Sequence, residues 1–590
     1  MCGIFALLNQ KNISPMEIDY EFMKGKNRGP EFSKLETNYL KMVLGFHRLA
    51  INGLNYESNQ PIVIDNIVLI CNGEIYNYKT LYEYMGVTPV TGSDCEVIIY
   101  LYLKYGIEQT LTMLDGVFAF VLYDNRITDD LNNQVYIARD PLGVRPLYYL
   151  KNANDNYNLH NLFGFASELK CLENFYNKNR YHYSIQQFTP GTYSVFNLSN
   201  KVQSSWEPLK ENIPYYLHIF SFYQGTSEWN KDVSTQKTLY NSFSRCISDG
   251  LRYAVDKRCL TTERPIACLL SGGLDSSLIS ALVSDYYRIN NVDKPLETYS
   301  IGLQESEDLK YARIVADWIG SKHTEIIVTE KEMFDAIPEV IHAIESYDTT
   351  TVRASIGNYL LGKYIAANSE AKVIFNGDGS DELLGGYLYM GKCPDDIEFD
   401  KETRRLLKDI YLFDVLRSDK SISSNGLEPR TPFLDRNFVN LVLSIPPYYR
   451  NHKNFDFPEK NILRQGFKYN NSISFDELGF KDSRGKQILP DVILYRKKEA
   501  FSDGVSSQGR SLYVILQEFI SFHLNIEETT DKYIPCIETE KYYYKKLFDS
   551  FYPNCSKILP YFWMPKYTDA KDPSARTLTF YKEDDVKIFV

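Results

Sequence analysis

Along the first 200 residues apolar positions fall in short runs separated by Gly, Asn and Pro turns. Met42–Phe46, Ile67–Cys71, Val117–Tyr123, Val135–Ala138 and Thr192–Phe196 predict strands. Stretches near 79–85 and 94–105 predict helices. Together they predict an α+β domain of packed sheets over residues 2–200. Across 201–235 Ser, Asn, Lys, Gln and Trp mix without a period, which predicts a linker. From 236 the rhythm becomes strand–helix alternation. Pro265–Leu270, Glu297–Leu303 and Lys372–Phe375 predict strands; Leu278–Tyr287, Leu309–Ile319 and Phe334–Glu345 predict amphipathic helices. That order implies βαβ units and a parallel sheet in an α/β domain over 236–590, mainly helical beyond about 400.

Composition narrows the classes. Apolar residues make up 44% of the 590-residue chain, enough for large cores, and the net charge of -11 argues against an electrostatic grip on nucleic acid. The ten cysteines include no C-x-x-C pair and the eight histidines no H-E-x-x-H, so neither a zinc ribbon nor a histidine metal site is indicated. Scattered cysteines suit a reducing compartment. No run approaches the ~18 apolar residues of a membrane span, and Met1–Leu8 lacks the basic start and small-residue cleavage site of a signal peptide. The expectation is a cytoplasmic protein with no membrane partner. Oligomeric state is not legible, and a homodimer is open to it.

Candidate chemistry starts at Cys2. Removal of Met1 would expose a thiol beside its own α-amine, which titrates near pH 8 and can act as its base. Alone, Met-Cys-Gly fits a buried small residue better. Three further segments change the reading: Arg48-Leu49-Ala50-Ile51-Asn52, Cys71-Asn72-Gly73-Glu74 after an apolar strand, and Ser93-Asp94-Cys95. With Arg139–Leu147 following in order, this series resembles the class II glutamine amidotransferases and implies an N-terminal-nucleophile glutaminase sandwich. The resemblance implies Cys2 as nucleophile, with Asn72 and Gly73 donating to the oxyanion at a strand-end turn. Arg48 would fork onto the glutamine α-carboxylate, with Leu49, Ala50, Ile51 and Asn52 beside it, and Glu74 and Asp94 would hold the ammonium. Arg139–Leu147 reads as a rigid scaffold turn.

A second motif, Ser271-Gly272-Gly273-Leu274-Asp275-Ser276-Ser277, follows an apolar strand and opens a helix. Ser and Gly let backbone N–H groups approach phosphate at the positive helix end, and Asp275 can hold Mg²⁺ against pyrophosphate. The pattern resembles the ATP pyrophosphatases, which form an adenylate. Gly357–Tyr364 spaces out a Walker A loop but puts Tyr364 where Ser or Thr must hold Mg²⁺, and it reads as helix.

The acceptor is read from Glu345–Ser355, Phe375–Glu382, Gly426–Asp435 and Glu459–Arg464, which resemble the asparagine synthetases over nearly the whole chain. The resemblance implies ATP and Mg²⁺, with glutamine and aspartate as substrates and a β-aspartyl-AMP intermediate. It implies a nucleotide wall of Leu269, Ile301, Asn376 and Gly377, hydroxyls from Thr350 and Thr351, and phosphate charge on Arg353 and Lys460. Asp378 would receive the ammonia proton. Asn376 and Asp378 stand where the family usually has Ser and Glu, and Glu31 where it has Asp. Two alternatives stand beside this reading. One is an amidotransferase acting on another carboxylate, against which the aspartate-site motifs count; Cys2 counts against a β-lactam synthetase. The other is a non-catalytic protein retaining the fold.

Overall fold

Two six-stranded antiparallel sheets are stacked in the N-terminal part of the computed structural model. The structure describes residues 1–10, 13–126, 133–153, 161–178, 180–199, 204–216, 233–455, 458–468, 480–499, 504–506, 510–523, 536–574 and 577–578. The first sheet runs, edge to edge, Tyr183–Gln187, Tyr148–Asn152, Phe163–Ala166, Gly3–Leu8, Met42–Arg48 and Phe32–Tyr39. The second runs Ser205–Pro214, Thr192–Ser199, Gln134–Arg139, Gly116–Asp124, Ile67–Ile75 and Ile62–Ile64.

Alternation decides which side chains meet. Ile4, Ala6 and Leu8 join Leu44 and Phe46 in facing Ile70, Ala119, Val121 and Ile137 of the other sheet. The intervening Phe5, Leu7 and Val43 pack with Ile18 and Phe22 of helix Pro15–Met23. Leu69 and Cys71 pack against helices Tyr78–Met85 and Val97–Met113. Central strands are therefore covered on both faces, which is why they read as unbroken apolar runs. Strand Ser205–Pro214 pairs with Thr192–Ser199, so this sheet extends into the stretch read as a linker. Residues 217–232 of that stretch lie outside the described residues.

The second part holds a parallel sheet in the order Lys322–Ile327, Glu297–Gly302, Ile266–Leu269, Val373–Phe375 and Glu428–Arg430. From Ile266–Leu269 the chain adds two strands on one side, then two on the other. The strand order thus reverses between Ile266–Leu269 and Val373–Phe375, which pair Cys268 with Phe375. Loops leaving the two strands emerge side by side there, opening the crevice in which α/β sheets bind ligands.

The two parts meet through buried ion pairs. Across the seam Arg28 reaches Asp419 at 2.8 Å, Arg145 reaches Asp419 at 3.3 Å and Lys420 reaches Glu168 at 3.0 Å, while Arg28–Glu168 at 2.9 Å and Lys420–Glu345 at 2.6 Å extend the network within each part. Strand Glu428–Arg430 completes this seam: Arg430 pairs with Glu428 at 2.8 Å and with Glu74 of the first part at 3.2 Å. Such pairs contribute little net stability but are costly to break singly, because the partner is left charged and buried.

Candidate active sites

Cys2 is half-buried at the start of strand Gly3–Leu8, its Sγ 3.7 Å from the carbonyl of Leu49, with Arg28 Nε donating to its own carbonyl at 3.0 Å. Burial pushes the thiol's pKa up. The amine of Met1 lies 3.8 Å from Glu428 and is shifted down, again by burial. Asn72 and Gly73 sit inside strand Ile67–Ile75, opposite Ala119 and Phe118, rather than at a strand-end turn. Ser167 links Asn72 to the nucleophile's strand: its Oγ accepts from Ile4 N at 3.1 Å and, at 3.4 Å, from Asn72 Nδ2. A Cβ at Gly73 would stand 2.7 Å from the carbonyl of Val117, so no larger residue fits there.

Two acids adjoin. Glu74 accepts from Asn52 Nδ2 at 2.8 Å, and Asp94 accepts from Ile75 N at 2.7 Å. Burial, reinforced by Asp94, holds the Glu74 carboxyl well above the usual carboxylate range. Burial likewise pushes Asp94 up to about 6. An arriving ammonium group would relieve both. Arg48 is engaged with the loop that follows it: its terminal nitrogens donate to Asn55 O at 3.0 Å, Asn59 Oδ1 at 2.8 Å, Asn52 O at 3.2 Å and Gly53 O. Glu31 accepts from Ala50 N at 2.7 Å and so steadies the same segment. Arg139–Leu147 forms the expected rigid turn, with Asp140 accepting from the N–H groups of Leu142, Val144 and Arg145.

The second site is a cavity at the switch point of the parallel sheet. Leu269, Ser271, Gly273, Asp275 and Ser276 line it, as do Ile301, Thr350, Asn376, Gly377, Asp378 and Lys460. Gly272 supplies the turn, at φ 72° and with Ala312 N only 2.4 Å from where a Cβ would stand. Ser271 Oγ and Ser276 Oγ lie 2.9 Å apart and Ser271 N donates to Ser276 Oγ at 3.1 Å, closing the loop over the start of helix Leu274–Ile289. Gly377 packs on this helix start, where a Cβ would meet Ser276 N at 2.7 Å.

Charge at the cavity centre is paired. Lys460 holds a left-handed backbone, φ 57°, that carries its Nζ 2.6 Å from Asp275 and 2.5 Å from Asp381. Lys498 reaches Asp381 at 2.6 Å. Burial opposes ionisation of Asp381, but the two lysines outweigh it and hold its carboxyl below the usual range. At the other end, Arg417 contacts Asp414 at 2.9 Å and Asp378 at 3.4 Å. The second oxygen of Asp378 is buried without a hydrogen bond. Asn376 accepts the Asp378 N–H on its Oδ1 at 3.3 Å and donates to Ser418 at 2.7 Å, so the two unusual residues of this loop are joined directly.

Two expected contributors point elsewhere. Thr351 donates its hydroxyl to Asp348 at 2.8 Å and serves the cap of helix Thr349–Asn368, leaving Thr350 to line the cavity. Arg353 is buried away from the cavity lining, with its guanidinium between Glu540 and Asp572. Asp381, Lys498, Arg417 and Asp414 line the cavity without having been assigned from sequence. Asp381 and Glu382 read equally well as a solvated helix start, and no local motif marks the others. Gly357–Tyr364 lies inside helix Thr349–Asn368, as expected for a spurious Walker match.

Comparison with known proteins matches a different family to each part of the chain. A glutamine amidotransferase domain matches residues 1–210, and asparagine synthase matches residues 247–395 and 391–470. Asparagine synthetase [glutamine-hydrolyzing] from Gallus gallus is 41% identical over 99% of both chains, and those from Bos taurus and Homo sapiens are each 39% identical over the same shares. The chain belongs to the glutamine-hydrolysing asparagine synthetase family. The asparagine synthase match ends at residue 470, so Lys498, Glu540 and Asp572 lie beyond it, although the relatives align to nearly the full length. Among the described residues no helix is long and apolar enough to cross a membrane.

Proposed function

We propose that this chain makes asparagine from aspartate, ATP and glutamine, hydrolysing glutamine at Cys2 and activating aspartate in the cavity of the parallel sheet. The cluster of Asp275, Asp381, Lys460 and Lys498 beside the Ser271–Ser276 loop carries the reading. Two carboxylates and two ammonium groups converge next to backbone N–H groups at a helix start, a donor set suited to a magnesium-bound polyphosphate. Magnesium is usually held by one or two carboxylates together with phosphate oxygens. Asp275 and Asp381 fit that requirement, and the metal would neutralise charge on the leaving pyrophosphate.

In the first part, loss of Met1 leaves the Cys2 amine beside its thiol in an N-terminal-nucleophile arrangement. The thiol sulfur attacks the glutamine amide carbon, and its proton passes to the amine and then to the departing ammonia. The Asn72 amide, whose nitrogen makes a long 3.4 Å contact to Ser167 Oγ, donates to the oxygen that becomes negative. Water then releases glutamate. Glu74 and Asp94 take the substrate ammonium, with Arg48 and the 49–52 segment shaping the wall around it.

In the second part, an aspartate β-carboxylate oxygen attacks the α-phosphorus of ATP, and the bond to pyrophosphate breaks. Lys460 and Lys498 compensate the charge gathering on pyrophosphate. Arg417 with Asp414 supplies one cation and one anion at the far end of the cavity, a set that matches the α-carboxylate and α-ammonium of an amino acid. Ammonia then attacks the β-carbonyl carbon, the bond to AMP breaks, and Asp378 accepts a proton. Pyrophosphate release measured with ATP, Mg²⁺ and aspartate tests the proposal: release that requires aspartate supports it, and release with another carboxylate alone, or none, rejects it.

A further inference from the structure

The far C-terminal segment grips the helix that carries Thr350 into the cavity at two points, and a third contact reaches the neighbouring cavity residue Tyr387. Arg353, one turn on from Thr350, is 3% exposed and sits between two carboxylates. Its Nε and Nη2 donate to the two oxygens of Glu540 at 2.9 and 2.5 Å, and its Nη1 and Nη2 to the two oxygens of Asp572, both at 2.9 Å. Both pairings are bidentate, the geometry that fixes orientation as well as energy. The cap of the same helix is held too. Asp348 accepts from Thr351 N at 2.9 Å on one oxygen and from the backbone N–H of Trp563 at 2.8 Å on the other. Finally, the Trp563 ring packs 5.2 Å from the ring of Tyr387, a cavity-lining residue whose hydroxyl donates to Glu382.

The brace is itself tied down. Glu540 sits in helix Cys536–Phe551 and also accepts from Gln517. Asp572 accepts from the N–H of Ser574 at 2.8 Å, which closes a turn around it. With four charge-assisted bonds from one buried guanidinium, Arg353 has no role left at the phosphates unless this brace opens.

We propose that residues 540–572 form a brace that sets the position of the Thr350 face, and that Arg353 is a positioning residue acting through Glu540 and Asp572 rather than on the nucleotide. The proposal rests on the reading of the Thr350 face as part of the synthetase site. Its consequence is selective. Among the described residues the brace touches helix Thr349–Asn368 and Tyr387 and, through Asn554, Arg180 and Asn177 on the surface of the first part, but none of Cys2, Arg48, Asn72, Glu74 or Asp94. Loosening it displaces Thr350, Ala354 and Asn358 together, and a misplacement near 1 Å costs about 100-fold in rate.

Asp572→Asn and Glu540→Gln, in the full chain, are the variants of choice because each keeps shape and one hydrogen-bonded oxygen while removing a charge. Arg353→Gln would strand two buried carboxylates and unfold the region. Aspartate-dependent ATP–pyrophosphate exchange and glutamine hydrolysis are measured on the same preparations, with Thr350→Ala as a control. The proposal expects exchange kcat to fall about 10- to 100-fold in both brace variants, with little change in the KM for ATP and with glutaminase within about twofold of native. Native exchange in both overturns it. So does a fall of exchange and glutaminase in step, because that is loss of fold rather than of position. If Thr350→Ala itself exchanges at the native rate, the reading of the Thr350 face has failed instead.

Discussion

Replacing Asp378 by Glu probes the loop in which Asn376 and Asp378 stand where the family usually has Ser and Glu. Asp378 Oδ1 stands 3.4 Å from Arg417 Nη2, and its N–H is held by the Asn376 side chain, which is itself anchored on Ser418. A glutamate adds one C–C bond, about 1.5 Å of reach. Extended along the same direction, its oxygen would come within about 2 Å of the guanidinium, closer than the ~2.7 Å that a charge-assisted pair allows. The longer chain must therefore turn aside or push Arg417 away. Overfilled sites of this kind cost about 1–3 kcal/mol, or about 5- to 150-fold if the strain falls on the ammonia-attack step. The assay is asparagine formation from added ammonia at saturating ATP and aspartate, with glutamine hydrolysis measured alongside as a control on folding. Asp378→Glu should be slower by that factor and Asp378→Ala slower still, both with glutaminase intact. An Asp378→Glu variant as fast as native, or faster, would refute the idea that the loop has been adjusted around the shorter acid.

Other outcomes follow from the same geometry. Cys2→Ala should abolish glutamine hydrolysis and glutamine-dependent synthesis while synthesis from ammonia survives; retained hydrolysis, read as glutamate release, would remove Cys2 from the chemistry. Asp275→Ala should abolish ATP–pyrophosphate exchange at limiting Mg²⁺ and spare glutaminase, because Asp275 lies in the phosphate loop and meets Lys460, Lys498 and Ser380, all of the second part; unimpaired exchange would contradict this. Asp94, pushed up to about 6 by burial, is ionised above that pH and neutral below it, and Glu74 is shifted in the same direction. The KM for glutamine should therefore rise as pH falls, by about tenfold at pH 5 relative to pH 7, and a KM flat across that range would show that neither acid binds the ammonium.

Strands Met42–Arg48, Ile67–Ile75, Gly116–Asp124 and Gln134–Arg139 and the alternating helices could be read from the sequence because each is governed by local pattern, whereas Gly3–Leu8, Tyr148–Asn152 and Phe163–Ala166, also central in the first sheet, carried no strand expectation. Edge elements were harder. Phe32–Tyr39 has one side toward solvent and reads as polar, and Glu428–Arg430 is a three-residue strand carrying a proline, the kind of segment that sits at a sheet edge. Arg430 nevertheless joins the two parts, through a pairing with Glu74 that sequence separation conceals. The phosphate loop was legible because backbone conformation and residue size dictate it locally. Arg353 could not be placed, since its carboxylate partners lie 187 and 219 residues away and a buried arginine looks the same in sequence whether it meets phosphate or protein. Lys498 and Asp381 needed the fold for the same reason: what marks them is convergence on Lys460 and Asp275 at the switch point of the sheet.

The most direct test of coupled glutamine hydrolysis and aspartate activation follows one nitrogen atom. The chain is incubated with aspartate, ATP, Mg²⁺ and glutamine labelled with ¹⁵N at the side-chain amide, and the products are resolved by mass spectrometry. Asparagine carrying ¹⁵N in its amide should form together with equal amounts of AMP, pyrophosphate and glutamate. Glutamate accumulating without labelled asparagine, or labelled asparagine formed with ADP in place of AMP, would contradict this.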